Sequence, residues 1–274
     1  MKILGILNIT SDSFSDGGKY LAPGAAIFHA SAMAESGADI IDIGAASSHP
    51  DASPVDAQTE IARLAAVIPA LKEKSLSLSV DSFSTEVQRW ALGQGIDYLN
   101  DIHGFPDPAL YPALAASPAK LIVMHAVQAR GVAVRTEVPS VEIFDRVTRF
   151  FDERIAMLQK AGVARDRLIL DPGMGQFLGT DLENSLILLR RLPELRARYG
   201  LPLLVSVSRK GFLRKLVGRP ADEAGAGRLH GETLAAEMFA HRQGVDYIRT
   251  HAPSPLSDAL KVLKALKKPV NPRQ

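Results

Sequence analysis

Short apolar segments recur eight times along the chain, and this repetition limits the possible folds more than any other feature of the sequence. The segments are ILGIL, DIIDIG, LSLSVD, DYLND, KLIVMH, RLILDPG, PLLVSVS and VDYIRTH, which begin at Ile3, Asp39, Leu76, Asp97, Lys120, Arg167, Pro202 and Val245. Nearly continuous apolar runs of this kind are typical of parallel strands that are buried on both faces. Helical patterns separate them, for example over residues 25–37 and 141–162. This alternation predicts an α/β fold, a single (β/α)8 TIM barrel over residues 1–274.

A doubly wound open sheet is the competing arrangement. Such a sheet typically has fewer strands, and a glycine-rich fingerprint is expected in its first turn between strand and helix. The segment GMGQFLG from Gly173 has two suitably placed glycines, but it follows the sixth apolar segment and continues into a loop. We therefore favour the barrel.

Composition excludes several classes of function. Lys and Arg number 32 and Asp and Glu number 30, which gives a net charge of +2, so no overall field draws the protein to nucleic acid or to a membrane. The chain has no cysteine, which excludes disulfides, thiolate nucleophiles and cysteine zinc sites. The apolar run near the start, ILGIL, is too short for a signal peptide or a membrane span. We therefore expect a cytoplasmic enzyme.

Polar side chains stand at seven of the eight predicted strand ends. They are Asn8, Asp81, Asn100 with Asp101, His125, Asp171, Ser208 to Lys210, and Arg249 with His251. A single such residue would more often cap the next helix, but seven at the rim where barrel enzymes do chemistry indicate a site. Carboxylates and amides can pair with the edge of a flat heterocycle, and the basic groups of the last two strands are suited to a phosphate. These residues alone do not name the reaction, and a Schiff-base aldolase that uses Lys210 stays open.

Eight motifs spread over nearly the whole chain carry a family resemblance. They are GILNITSDSFSDGG, ADIIDIG, SVDSF, YLNDIHGF, LIVMH, LDPGMG, VSVSRKGF and YIRTH. In this order they resemble the dihydropteroate synthase family. The segments GAASSHPDASPV, FPDPALYP and IRTHAP are similar to its Sul-type branch, which is associated with sulfonamide resistance. The resemblance implies a transferase of folate biosynthesis that condenses 6-hydroxymethyl-7,8-dihydropterin pyrophosphate with p-aminobenzoate and releases pyrophosphate.

The resemblance also implies the roles of individual residues. Pterin would be held by Asp81, Asn100, Met124, Asp171 and Lys210. Pyrophosphate would be held by Asn8, Arg249 and His251, with Asn8 also reaching a magnesium ion. The catalytic residues would be Asp81, Lys210 and Asn8. The p-aminobenzoate side would be formed by Phe14, Asp16, Ser48, His49, Gln176, Phe177 and Gly211. The family suggests a homodimer through the late helices.

The polar loop after Asn8 is long for a simple turn, because about four residues are enough to reverse a chain. With Asp12, Phe14 and Asp16, it is expected to close over the site and to exclude water. A plain surface loop is the alternative.

Three departures from the family pattern lie on the p-aminobenzoate side. GAASSHPDA stands where the pattern is GGESTRPGA, so Ser48 and His49 occupy the positions of a threonine and an arginine. Gly211 replaces the serine of SRKS, and Gln176-Phe177-Leu178 replaces FGK. A bulky Phe177 at the carboxylate end of the pocket predicts reduced sensitivity to sulfonamides. A pterin-dependent methyl-transfer protein and a non-catalytic pterin-binding barrel stay open as alternatives.

Overall fold

The computed structural model describes residues 1–10, 22–49, 51–129, 131–133, 135–219 and 229–267. Each of the eight predicted apolar segments contributes a strand. The strands are β1 (Lys2–Asn8), β2 (Ile40–Gly44), β3 (Leu78–Asp81), β4 (Tyr98–Asp101), β5 (Lys120–Met124), β6 (Leu168–Asp171), β7 (Leu204–Val205) and β8 (Tyr247–Thr250). The loop after β1, with Phe14, Asp16 and the glycine pair, lies outside the described residues.

The strands form one parallel sheet that closes on itself. Their order is β6-β5-β4-β3-β2-β1-β8-β7. The two ends of this order meet where Leu170 pairs with Leu203 in a parallel bridge, and the Leu170 amide donates to the Pro202 carbonyl at 2.9 Å. The TIM barrel predicted from the alternation of segments is therefore confirmed.

Helices surround the sheet. They are α1 (Pro23–Glu35), α2 (Ala57–Ala65), α3 (Ile68–Glu73), α4 (Thr85–Gly93), α5 (Tyr111–Ala116), α6 (Ile143–Lys160), α7 (Leu182–Arg190), α8 (Leu192–Tyr199), α9 (Gly211–Leu216), α10 (His230–Arg242) and α11 (Pro253–Leu266). Short 3₁₀ turns cover Pro108–Leu110, Ser140–Glu142, Arg165–Arg167 and Gly175–Leu178. In the part of the chain that the structure describes, no helix is both long and apolar enough to span a bilayer.

Alternation along the strands separates two cores. On β2, Ile41 and Ile43 join the large apolar cluster that the helices cover, whereas Ile40 belongs to a smaller cluster inside the barrel. Successive side chains of a strand point to opposite faces, so Asp42 and Gly44 share the inner face with Ile40. The inner cluster consists of Leu4, Ile40, Tyr98, Ile122, Ile169, Leu204 and Tyr247. This cluster fills the inside of the barrel beneath the polar residues at the carboxyl ends of the strands.

Candidate active site

Arg249 of β8 lies between two carboxylates that come from other strands. Its Nε donates to Asp42 Oδ2 at 2.5 Å and its Nη2 donates to Asp81 Oδ2 at 2.6 Å. The Arg249 side chain is 16% exposed, whereas Asp42 is 0% and Asp81 is 20% exposed. Burial alone would lower the pKa of Arg249, but the two acids outweigh it and raise that pKa. The guanidinium is therefore a permanent cation inside the barrel mouth.

Of the two acids that bind Arg249, Asp81 is the one whose side chain remains partly exposed at the barrel mouth. Burial raises its pKa to about 7, against the attraction of Arg249 and with the repulsion of Asp42 adding to the effect. One fifth of the side chain stays accessible, yet the surrounding protein removes most of its hydration. A carboxyl group in this state changes its charge near neutral pH.

Asp171, at the end of β6, is the second acid of the mouth. Its Oδ1 accepts a hydrogen bond from the Gly173 amide at 2.8 Å, and burial raises its pKa to about 6 although that bond and Lys210 oppose the shift. Gly173 has φ of +75°, and a Cβ there would collide with the His125 carbonyl oxygen. The turn that holds Asp171 therefore requires glycine.

Lys210 points at the same region from the loop between β7 and α9. Burial lowers its pKa to about 8, with the repulsion of Arg249 in the same direction and the attraction of Asp171 against it. Its Nζ lies 4.7 Å from the centre of the Phe177 ring, within the range of a cation–π contact. Lys210 thus joins the charged groups to an aromatic surface.

An apolar wall lines the mouth beside Lys210. We define this apolar wall as Ile102, Met124, Ala133 and Phe177, which form one cluster. Phe177 is only 7% exposed and Met124 is 6% exposed. A flat ring can pack against such a wall while its edge meets the charged groups.

The remaining polar strand ends divide into two groups. Asn100 faces inward, and its Nδ2 lies 3.5 Å from Asp42 Oδ2. Asp101 faces outward and accepts the amides of His103 and Phe105 at 2.8 and 2.9 Å. His125 also turns away, since its ring packs edge-on against Phe150 with 5.2 Å between ring centres. These last two residues shape loops instead of lining the mouth.

His251 differs from the basic group that the sequence suggests. Its Nδ1 and its backbone amide both lie 3.1 Å from Ser208 Oγ. Burial and the nearby arginines and lysine hold the pKa of His251 well below its ordinary value, so the ring is neutral. The Ser208 contact engages Nδ1, which leaves Nε2 as the ring nitrogen that can meet a ligand. The pair at the end of β8 therefore carries one permanent charge and one neutral ring.

Asn8 lies at the end of β1 next to the inner face of β2. Its Oδ1 lies 3.5 Å from the place where a Cβ on Gly44 would stand. In the described ranges, no cluster of three His, Asp or Glu side chains is placed to hold a metal ion.

Of the residues expected on the p-aminobenzoate side, Ser48 and His49 lie in the loop after β2, Gln176 and Phe177 in a 3₁₀ turn and Gly211 at the start of α9. Ser48 accepts the Ala133 amide at its carbonyl, at 3.0 Å. His49 is exposed beside Asp51, with 3.8 Å between Nδ1 and Oδ2. Gln176 and Gly211 are exposed, whereas Phe177 is buried in the apolar wall. Phe14 and Asp16 fall outside the described residues.

Sequence reasoning missed three contributors to this region. Asp42 is an acid in the middle of an apolar strand, and its alternation with Gly44 was the available signal. Ala133 and Arg135 come from the loop after β5, which has no motif of its own. The Arg135 Nη2 lies 2.5 Å from Asp51 Oδ2, so a cation from the loop after β5 lies beside the loop after β2.

Comparison with known proteins agrees with this geometry. The family described as "Pterin binding enzyme" matches residues 4–251. The chain is 57% identical to a dihydropteroate synthase type-2 of Escherichia coli over 97% of this chain and 96% of the relative. It is 52% identical to a dihydropteroate synthase type-3 of the same species over 97% of this chain and 99% of the relative. A solved dihydropteroate synthase of Xanthomonas albilineans with 4-aminobenzoic acid superposes with a TM-score of 0.85 at 33% identity, over 98% of this chain and 94% of that one.

The chain therefore belongs to the pterin-binding enzymes, and its own barrel mouth combines buried acids with an apolar wall. Within that class it is a dihydropteroate synthase, a transferase, of the Sul-type branch. The family predicted from the motifs is confirmed.

Proposed function

We propose that the pterin pyrophosphate and p-aminobenzoate react at the barrel mouth, between the buried charges and the apolar wall. The observation that carries this proposal is the placement of Arg249 between Asp42 and Asp81, with Asp171 and Lys210 at the same mouth. Such a set offers acceptors for a heterocycle and a fixed cation for a leaving anion.

The pterin lies with its 2-amino and N3 edge on Asp171 in this proposal. One oxygen of that carboxylate already accepts the Gly173 amide, and the remaining lone pairs accept from the two pterin donors. Asn100 and Lys210 bond to the polar atoms of the ring, while Met124 packs against its face. The desolvated carboxylate makes these bonds stronger than they would be in water.

The pyrophosphate lies against Arg249, Nε2 of His251 and Asn8. The donor set suits magnesium, because Mg²⁺ is commonly held by one or two protein oxygens together with substrate phosphates and water. Asn8 Oδ1 would be the protein ligand, and the ion would neutralise charge on the leaving group.

The chemical step exchanges one bond at the exocyclic methylene carbon of the pterin. The C–O bond breaks and its electron pair leaves with pyrophosphate, the amine nitrogen of p-aminobenzoate forms the new C–N bond, and the amine loses one proton. Positive charge develops on the methylene carbon as pyrophosphate departs. The Asp81 carboxylate stabilises that charge, and Arg249 stabilises the charge on the leaving group.

Reduced sulfonamide sensitivity is the finer part of the proposal. Phe177 is buried next to Lys210 and against Met124, so its ring has little freedom to move. A rigid ring at the carboxylate end of p-aminobenzoate leaves no room for the substituent that extends a sulfonamide beyond the tetrahedral sulfur.

A homodimer is supported by an apolar groove between α7, α9 and α10. This groove has a volume of about 780 Å³ and is lined by residues that include Leu186, Phe212, Leu213, Leu216, Ala235 and Phe239. Leu216 is 48% and Phe239 39% exposed. We expect Phe239→Glu to convert a dimer to a monomer in light scattering, with Phe28→Glu on α1 as the control, because Phe28 is also exposed but does not line the groove. A protein that is monomeric before either change contradicts the dimer.

The activity itself is tested by measuring pyrophosphate release from the pterin pyrophosphate with and without p-aminobenzoate. Release that requires p-aminobenzoate, together with formation of 7,8-dihydropteroate, is the expected result. Pterin binding without release indicates a binding protein, and methyl transfer in place of release indicates the methyl-transfer class. Either outcome contradicts the proposal.

A further inference from the structure

Asp42 has no place in the site that the sequence motifs suggest, yet it is the most deeply buried acid of the mouth. Its side chain is 0% exposed and sits on the inner face of β2. One oxygen, Oδ2, meets Arg249 Nε at 2.5 Å and Asn100 Nδ2 at 3.5 Å. The other, Oδ1, has no hydrogen-bond partner among the described residues. A fully buried aspartate is costly unless its charge is paired, so its position calls for a role.

The inner face of β2 shows how Asp42 reaches Arg249 while the mouth stays open. Gly44 follows at the next inward position and has no side chain, and a Cβ there would approach Asn8 and Asp81. The top of β2 therefore leaves the mouth open, while the acid stands one layer deeper. From that level, Asp42 can hold the inner edge of the guanidinium without occupying the space above it.

A guanidinium has five N–H donors in a planar fork. In this structure Nε bonds to Asp42 and one N–H of Nη2 bonds to Asp81, which leaves three donors for another anion. Two contacts from different strands fix the plane of the fork. Of the two acids, Asp81 is 20% exposed whereas Asp42 is fully buried, so Asp42 is the acid that anchors the guanidinium from inside the barrel.

We propose that Asp42 is a positioning residue of the transfer reaction, which holds Arg249 through Nε so that its remaining N–H groups are presented to the pyrophosphate of the substrate. The proposal rests on the role proposed above for Arg249. In this proposal Asp42 acts on the pyrophosphate through the arginine, because its 2.5 Å contact with Arg249 Nε is much shorter than its 3.5 Å approach to Asn100 Nδ2. Its effect is therefore selective for ligands that carry the pyrophosphate group.

The test compares Asp42→Asn with Asp39→Asn as a matched control. Asp39 belongs to the same DIIDIG segment, and its carboxylate accepts the Ile3 amide at 2.7 Å instead of contacting Arg249. Calorimetry measures the Kd of each variant for the pterin pyrophosphate and for the free 6-hydroxymethyl pterin. We expect Asp42→Asn to weaken the pyrophosphate ester about tenfold or more, as for a charged hydrogen bond, and to leave the free pterin nearly unchanged. The control should change neither.

A double-mutant cycle separates positioning from a general structural effect. With Arg249→Ala as the background, Asp42→Asn should no longer change the ratio of the two Kd values, because the group through which it acts is gone. Equal weakening of both ligands by Asp42→Asn, or an undiminished effect in that background, overturns the proposal. Binding does not require turnover, so a parent protein that binds both ligands but releases no pyrophosphate contradicts the proposed function and leaves this comparison intact.

Discussion

The contact between Arg249 and Asp42 and the contact between Arg135 and Asp51 have the same length in opposite surroundings. Both join a guanidinium nitrogen to a carboxylate oxygen at 2.5 Å, but the first pair is 16% and 0% exposed and the second is 58% and 52% exposed. The buried pair is not screened by water or salt, whereas the exposed pair is. Two ion pairs of equal length therefore contribute very differently to the free energy of unfolding.

The two pairs mark two halves of the barrel mouth. The half with Arg249 is built on strand ends, where neighbouring strands fix each side chain. The half with Arg135 is built on loops, and the departures from the family pattern at Ser48 and His49 fall there, whereas Gly211 lies at the start of α9. In the function proposed above, this division assigns the chemistry to the strand ends and selectivity for the second substrate to the loops, which are the segments that vary most among related proteins.

The largest expected effect is that of Arg249→Ala. It would leave Asp42 and Asp81 without their counter-ion, and removal of one partner of a buried pair typically costs about 3–5 kcal/mol of stability. The variant should also lose more affinity for the pterin pyrophosphate than for the free pterin alcohol. Denaturant unfolding measures the first effect and calorimetry the second. Equal loss of affinity for both ligands would place the anion site elsewhere.

A smaller loss is expected for Asp171→Asn. The amide offers one acceptor where the pterin edge needs two, and a charged hydrogen bond in a desolvated pocket contributes about 1.5–3 kcal/mol. Calorimetry with the free pterin measures this loss. Binding within a factor of two of the parent would contradict the assignment of Asp171.

The pH dependence of the parent supplies the control for that variant. The pKa of Asp171 is raised to about 6, and the ionised form is the one that accepts from the pterin. Affinity for free pterin should therefore be nearly full about one pH unit above 6 and should fall as the pH drops through 6. Asp171→Asn should lack this titration, and an identical pH profile in parent and variant would count against the role of Asp171.

Phe177→Gly tests the loop half of the mouth. We expect the parent to resist sulfamethoxazole at concentrations near its Michaelis constant for p-aminobenzoate, and the variant to become sensitive because the repulsive ring is gone. Inhibition constants are measured beside that Michaelis constant in both proteins. A sensitive parent contradicts the discrimination, and a variant that stays resistant shows that Phe177 is not the gate.

The smallest expected effect is that of Arg135→Ala. An exposed ion pair contributes about 0–1 kcal/mol, so the free energy of unfolding and the affinity for free pterin should hardly change. Denaturant unfolding beside Arg249→Ala makes the comparison direct. A loss similar to that of the buried arginine would remove the distinction between the two halves.

The sequence was sufficient for the barrel and for most of the inward polar residues, because both follow from local periodicity. It did not separate Asn100 from its neighbour Asp101, although alternation along β4 sends only Asn100 inward. Asp42 escaped notice because an aspartate inside an apolar strand has no meaning until Arg249, far along the chain, is placed beside it. The neutral state of His251 likewise depends on burial and on the cations Arg209 and Lys210, which only the fold brings near.

Other predictions from the sequence depend on parts of the molecule that give no local signal. The apolar groove between α7, α9 and α10 is assembled from three helices, none of which shows it alone. The first loop, with Phe14 and Asp16, and the cytoplasmic location stay predictions.

The turn at Gly173 bears on how this enzyme could respond to inhibitors. Any side chain at this position would meet the carbonyl oxygen of His125, and the backbone there is left-handed. Any substitution of Gly173 therefore disrupts the turn that holds Asp171. A compound that draws its affinity from this stretch of backbone would leave resistance few single-step routes, unlike one that depends on the variable loops across the mouth.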